Sequence, residues 1–408
     1  MRVLLITPEA PAPVHVNGGA TRQYELFRRL IELGHSVTAV AVMPPHVADF
    51  SQQLRAEGFD LRPVRRQRSV LRDVLFAVLR KPSTLTGLFT DSIDDFAARV
   101  FWVPLEPVLR EALADGPYDV VCLEHQYCAG WIGRFEPPAP AILEIHEVRS
   151  IQFRASAALH GGLRGLFWRI NARRVLRAER RWTPRFAAAV TMSETEARRI
   201  REIVPGMPPV HVVGNGARLD AFAEAGPDPD RRRVLFTGTL NFAPNAGAAQ
   251  WLAREVWPRV LERVPDAELE IVGRDPSRAT LALDQLPGVA VHANVPDIVP
   301  WYERASVCTL PMLEGGGTRL KFAEAMAAGR AVVSTANGAE GVLVEDGREA
   351  LIADSPADFA AAIVRLLEDP ALRRELGERG RSTAAAEYDW RRLGDKLAAA
   401  FEETASGR

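Results

Sequence analysis

The chain opens with RVLLITP, an apolar run closed by proline, the pattern of a strand buried on both faces of a parallel sheet. In VNGGATRQYELFRRLIELGHSVTAVAV the period changes. Gly18 and Gly19 read as a loop, Tyr24, Leu26, Phe27, Leu30 and Ile31 recur at helical spacing, Gly34 stops the helix, and SVTAVAV is the next buried strand. This is a βαβ unit. YDVVCLE, AILEIHE and FAAAVTMS continue the series of strands, and residues 62–115 read as a helical, arginine-rich insertion.

Proline and glycine cluster in residues 203–233 around a short strand, VHVVG, and this stretch reads as the linker between two domains. The α/β pattern then restarts with the strands RVLFTGTL, AELEIVG, VAVHANV, SVCTLPM, AVVST and ALIAD. Helices alternate with them, and the end of the chain is helical, with Ser355 and Asp358 as an N-cap pair and Asp369-Pro370 as a break. The expected architecture is α/β, with two doubly wound, Rossmann-like domains in series. The expected boundaries are 1–205, 206–385 and a terminal helix at 386–408.

Composition changes this picture little. At 408 residues, 47% hydrophobic and 25% charged, the chain has ample core for two domains. A net charge of −1 gives no general attraction to nucleic acid or to an anionic membrane. Cys122, Cys128 and Cys308 fit no zinc or redox spacing, which suits a reducing, cytoplasmic location. The N-terminus lacks the apolar core of a signal peptide, and no run approaches the ~18 residues of a spanning helix. Two basic stretches stand out: RPVRRQRSVLRDVLFAVLRKP, and the helix carrying Arg164, Phe167, Trp168, Arg169, Arg173, Arg174, Arg177, Arg180, Arg181 and Trp182. Faces of this kind suit the inner surface of a membrane or a lipid diphosphate acceptor, and equally a solvated surface paired with Glu179.

The densest chemistry lies in PMLEGGGTRLKFAEAMAAGRAVVST. Gly315, Gly316 and Gly317 let a backbone approach a ligand, and the helix that follows offers free N–H groups and a positive dipole end to a phosphate. Arg319 and Lys321 add positive charge there, with Arg274 as a further basic residue. Asp228-Pro229-Asp230 has the form of a metal motif but sits in the proline-rich linker, where turn chemistry accounts for it. No G-x-G-x-x-G follows the first strand, which argues against a dehydrogenase.

In order along the chain, VNGGATRQYELFRRLIELGHSVTAV, EIHEVRS, TMSETEARRI with VVGNGARLDAF, FTGTLNFAPNAGAAQWL, EGGGTRLKFAEAMAAGRAVVSTANGAEGV and EYDW resemble the GT-B-fold glycosyltransferases of family 4, the group 1 glycosyltransferases. The second-domain pieces are similar to a bacterial exopolysaccharide-type subgroup. The resemblance implies two domains facing across a cleft, with a terminal helix crossing back to the first. It implies retaining, metal-independent transfer from a nucleotide diphosphate sugar to a hydroxyl, in polysaccharide, glycolipid or natural-product synthesis. It further implies that Glu324 holds the donor ribose and that His146 contacts the donor sugar. Gly19, Gly316, Gly317, Thr318, Arg319 and Lys321 then line the donor. The chain departs from the family's E-x7-E spacing: Gly316 stands where the first glutamate belongs, leaving Glu314 as a substitute sugar contact. It also lacks the Arg and Lys that many members carry after the first strand of the second domain. A non-catalytic donor-binding subunit and a sugar-nucleotide epimerase on the same double fold are the alternatives.

Overall fold

The computed structural model describes residues 1–13, 18–43, 50–65, 70–81, 84, 86–223, 226, 229, 231–314 and 320–407. The chain divides into two units, Met1–Gly214 with Leu393–Arg408, and Asn215–Arg392. The first unit holds seven parallel strands: β1 Arg2–Thr7, β2 Ser36–Met43, β3 Phe59–Arg65, β4 Val120–Glu124, β5 Ala141–Ile145, β6 Ala188–Thr191 and β7 Val210–Val212. Their order is β3-β2-β1-β4-β5-β6-β7. The second unit holds β8 Arg233–Thr239, β9 Glu268–Arg274, β10 Val289–Ala293, β11 Val307–Leu310, β12 Ala331–Ser334 and β13 Ala350–Ile352, in the order β10-β9-β8-β11-β12-β13. Both orders reverse direction at one point, between β1 and β4 and between β8 and β11. In open parallel sheets the crevice beyond the carboxyl ends at that point is where ligands bind.

The buried apolar runs are strands because both faces are covered, and Leu4, Val40, Leu123, Leu143, Phe236 and Ile271 are all inaccessible. Two details differ from the sequence reading. Gly18 and Gly19 begin the helix Gly18–Glu32 and do not form a loop before it. The arginine-rich region starts with β3, whose Asp60, Arg62 and Pro63 interrupt the apolar pattern. β3 is an edge strand, where proline costs no ladder bond and Asp60 and Arg62 can pair at 2.8 Å in partial contact with water. The strand in the proline-rich stretch, Val210–Val212, pairs with β6 in the first sheet. Ser355 accepts the Asp358 N–H at 3.1 Å, and Asp369 caps the helix Pro370–Glu387 through the Leu372 N–H at 3.0 Å.

Trp390 is the first residue of the terminal helix, Trp390–Ser406. From Leu393 on, this helix belongs to the first unit: Asp395 pairs with Arg29 at 2.8 Å, and Phe401 meets Phe27 edge to face at 6.1 Å.

The basic helix, Gly162–Trp182, is not paired off through Glu179. That side chain is 2% exposed and accepts the Ser150 N–H at 3.0 Å. Burial pushes its carboxyl up to about 7. Its proton is held more tightly in the fold than in the unfolded chain, so stability falls as pH rises from the ordinary carboxyl value toward 7. The shift is worth about 3 kcal/mol. Urea unfolding of Glu179→Gln should show this slope flattened, the variant gaining on the native chain by about 2–3 kcal/mol between pH 4.5 and 8. Parallel pH profiles for the two proteins would contradict it.

Candidate functional site

In the second unit, pairing between β8 and β11 ends at Leu235↔Cys308. Into the space beyond reaches Lys321, from the first turn of the helix Leu320–Ala327. Its Nζ donates to the Thr237 carbonyl at 3.0 Å and to Asn245 Oδ1 at 2.9 Å, and stands 4.7 Å from the centre of the Phe236 ring. Lys321 is thus partly buried, not a solvated helix lysine. Its charge is fixed at the carboxyl end of β8, where the fold favours a ligand. Asn245 is held in turn, its Nδ2 donating to the Thr239 carbonyl at 3.0 Å.

One turn along the same helix, Glu324 Oε2 accepts the Tyr302 hydroxyl at 3.0 Å. Tyr302 is 1% exposed, and its oxygen also lies 3.0 Å from Thr237 Oγ1. Burial, reinforced by the Glu324 charge, raises the phenol well above its ordinary range, so it remains a hydroxyl donor to the carboxylate. The ring packs edge to face on Phe222 at 5.5 Å, and the buried Arg330 donates to the Tyr302 carbonyl at 3.0 Å. Tyr302 orients Glu324, yet nothing in VPWYERA marks it as more than an apolar helix residue.

Glu314 follows the strand β11, two residues after the buried Met312. Gly316, Gly317, Thr318 and Arg319 lie outside the described residues, as do Gly315, Asp228 and Asp230. Arg274 ends β9, and its carbonyl accepts the Leu240 N–H at 2.7 Å.

In the first unit, His146 directly follows β5, and its Nε2 lies 2.7 Å from Glu124 Oε2 at the end of β4. The next residue, His125, has φ 67°, and its ring centroid is 4.0 Å from that of His146. Its Nε2 is 3.9 Å from Glu9 Oε1, beyond the end of β1. Behind them Glu144, fully buried, meets Arg22 at 3.2 Å, and Arg22 donates to the Gly214 carbonyl at 2.5 Å. Glu147 pairs with Arg149 at 2.6 Å, and Glu196 accepts the Val148 N–H at 2.7 Å, anchoring the segment after His146. Burial pushes the Glu124 carboxyl up to about 7. Burial, then the charge of His125, holds His146 well below the usual imidazole range, so its ring is neutral at physiological pH. Gly19 sits in the first turn of the helix after β1.

The sequence reading singled out His146 and missed Glu124 and His125. The same signal marked all three, a polar residue at the carboxyl end of a buried parallel strand. Among the described residues these three are the side chains whose ligand atoms gather closely enough to hold a metal ion.

Lys321→Met keeps the stem and removes the ammonium. The Thr237 carbonyl and Asn245 amide then lose a charged donor, and unfolding free energy should fall by about 1–3 kcal/mol, read by urea denaturation. A variant as stable as the native chain would show those bonds to be idle.

The family model described as "Glycosyl transferase 4-like domain" matches residues 17–216, and that described as "Glycosyl transferases group 1" matches residues 231–369. Phosphatidyl-myo-inositol mannosyltransferase of Mycobacterium tuberculosis is 30% identical over 213 residues, 47% of this chain and 54% of that protein. D-inositol 3-phosphate glycosyltransferase of Streptomyces bingchenggensis is 32% identical over 204 residues, 45% of this chain and 42% of that protein. The chain spans about half the length of these curated relatives. Among solved structures, sucrose-phosphate synthase from Thermosynechococcus elongatus superposes with a TM-score of 0.70 at 18% identity, covering 100% of both chains. Anabaena HepE in complex with UDP-glucose gives 0.66 at 13% identity, covering 98% of this chain and 99% of that one. These two likenesses are ones of fold.

Proposed function

Because the chain belongs to the group 1 glycosyltransferases and has their GT-B fold, we propose that it transfers a sugar from a nucleotide diphosphate donor to an acceptor hydroxyl, with retention and without a metal ion. The observation that carries this is Glu324, oriented by Tyr302 and set one helical turn from the fixed charge of Lys321, at the crevice of the second sheet. A carboxylate accepts two ribose hydroxyl bonds, and the ammonium, with Arg319, Thr318 and the N–H groups of Gly316 and Gly317, offsets the diphosphate. Gly19 offers backbone N–H to the same group from the first unit. His146 serves the donor sugar, with Glu314 as a second contact. The anomeric bond to phosphate breaks, the acceptor oxygen bonds on the same face, and its proton passes to the leaving phosphate.

Relatives named as GDP-mannose-dependent and a fold neighbour solved with UDP-glucose support a GDP or UDP sugar as donor. A lipid-linked acceptor has support in the helix Gly162–Trp182. There Leu163, Leu166, Phe167 and Ile170 form a stripe at helical spacing that is 85%, 46%, 45% and 41% exposed, beside the exposed Arg164, Arg169 and Arg173. An apolar stripe facing water between arginines fits an anionic membrane surface. Among the described residues no helix is long and apolar enough to cross a membrane.

The test is thermal shift with UDP, GDP, ADP and their sugars, then slow hydrolysis of the ligand that binds. A true donor at ~100 times its dissociation constant adds about 2.7 kcal/mol. Binding without hydrolysis would favour the non-catalytic subunit, the reading that Gly316 in place of the family's glutamate suggests. Flotation with anionic vesicles at low salt should carry the protein upward, and Leu163→Ser with Phe167→Ser should abolish it. A native chain that stays in the lower fraction would remove the membrane from the account.

A further inference from the structure

Glu124, His125 and His146 bring one carboxylate oxygen and two imidazole nitrogens within 4.8 Å of one another. Two imidazoles and a carboxylate are the donor set of late first-row divalent ions, zinc among them. In a tetrahedral site with bonds of about 2.0 Å, two ligand atoms stand ~3.3 Å apart, so closure asks for movements of up to about 1.5 Å. Glu124 Oε2 and His146 Nε2 are hydrogen-bonded at 2.7 Å, a contact that a bound ion would replace and open slightly.

Two further features favour an ion here. His125 has φ 67° and ψ 130°, a backbone that costs a non-glycine residue about 1–3 kcal/mol and persists only where its surroundings hold it. The ring beside His146 is therefore placed, not incidental. The second feature is charge. The ionisable groups tied to this corner include the acids Glu9, Glu124, Glu144 and Glu147, with Asp94 on the far side of Arg149, against the guanidiniums Arg22 and Arg149 and the imidazole of His125. The surplus is negative, in a place where Glu124 is 1% exposed and screening by water is weak.

We propose that Glu124, His125 and His146 bind a late first-row divalent cation, and that the bound ion shuts the transferase off by taking the imidazole that would meet the donor sugar. The site itself stands apart from the proposed function; only the shut-off rests on it. The reaction needs no ion, and the ion is its antagonist.

The experiment uses the full chain, stripped with a chelator and titrated with Zn2+ by calorimetry and with Co2+ by visible absorption. One equivalent per chain is expected, with the absorption of a cobalt site bearing imidazole. Glu124→Gln and His125→Asn, each checked for native circular dichroism, should weaken binding at least tenfold. Absence of a saturable single equivalent, or variants that bind as tightly as the native chain, would overturn the site. Should one variant fail to fold, the other and His146→Asn carry the same comparison. Donor hydrolysis is then followed against Zn2+ concentration, and inhibition should track occupancy. One equivalent bound with hydrolysis unchanged would overturn the shut-off and remove His146 from the donor sugar, while leaving the ion site intact.

Discussion

Glu324→Gln is expected to lower donor affinity by a hundredfold or more. The carboxylate can accept a hydrogen bond from each ribose hydroxyl, and bonds to a charged group are worth about 1.5–3 kcal/mol apiece. The glutamine has one acceptor oxygen and loses the charge, so about 3 kcal/mol disappears, two powers of ten in the dissociation constant. Shape is kept, and the amide oxygen can still accept the Tyr302 hydroxyl that lies 3.0 Å from Glu324 in the native chain. Unfolding free energy should therefore change far less than affinity. Calorimetry with whichever nucleoside diphosphate stabilises the native protein reads the first quantity, and urea denaturation the second. Affinity within threefold of native would take Glu324 off the ribose, whatever the stability result.

Gly273→Ala should do the greatest damage to the fold. Gly273 stands opposite Gly238 in the β8–β9 register, and a Cβ there would run into the Gly238 carbonyl oxygen and come within 2.9 Å of Leu240 Cγ. Neither can yield easily. Leu240 is inaccessible and its N–H is bonded to the Arg274 carbonyl at 2.7 Å, while the Gly273 carbonyl accepts the Asn294 N–H at 2.8 Å. The strands would have to part beneath the loop that leads to Asn245. A loss of about 4 kcal/mol or more follows, or failure to accumulate as folded protein. Gly238→Ala is the internal control. Its Cβ would meet the Asn245 amide at 3.0 Å, a side chain that can give by a few tenths of an ångström only by straining its bonds to the Thr239 carbonyl and Lys321, and about 1–2 kcal/mol is expected. Equal urea midpoints for native and Gly273→Ala would mean that the ends of β8 and β9 lie farther apart than described.

Strands covered on both faces could be recognised from composition alone, because a residue such as Leu123 or Ile271 has no polar alternative in either direction. β3 escaped notice because its edge position tolerates Asp60, Arg62 and Pro63, and those residues look like the end of a strand. The second-unit site was partly visible: Glu324 and Lys321 follow a glycine run. What holds them was not. Tyr302 lies 22 residues from Glu324 and Thr237 lies 84 from Lys321, and a contact over such a separation leaves no local period to read. In the first unit the carboxyl-end rule that selects His146 applies equally to Glu124 and His125. CLEHQYC conceals them, because it continues a buried run without a glycine or proline to mark the crevice.

The division of the chain also sets an order of assembly. Residues 215–392 form a contiguous stretch, whereas the unit around the first sheet needs both Met1–Gly214 and Leu393–Arg408. During synthesis, domains fold as units when their residues have emerged. The segment between is complete in sequence before Leu393 is added. The portion translated first must wait for Asp395 and Phe401 to reach Arg29 and Phe27, so the half of the protein that is born earliest is finished last.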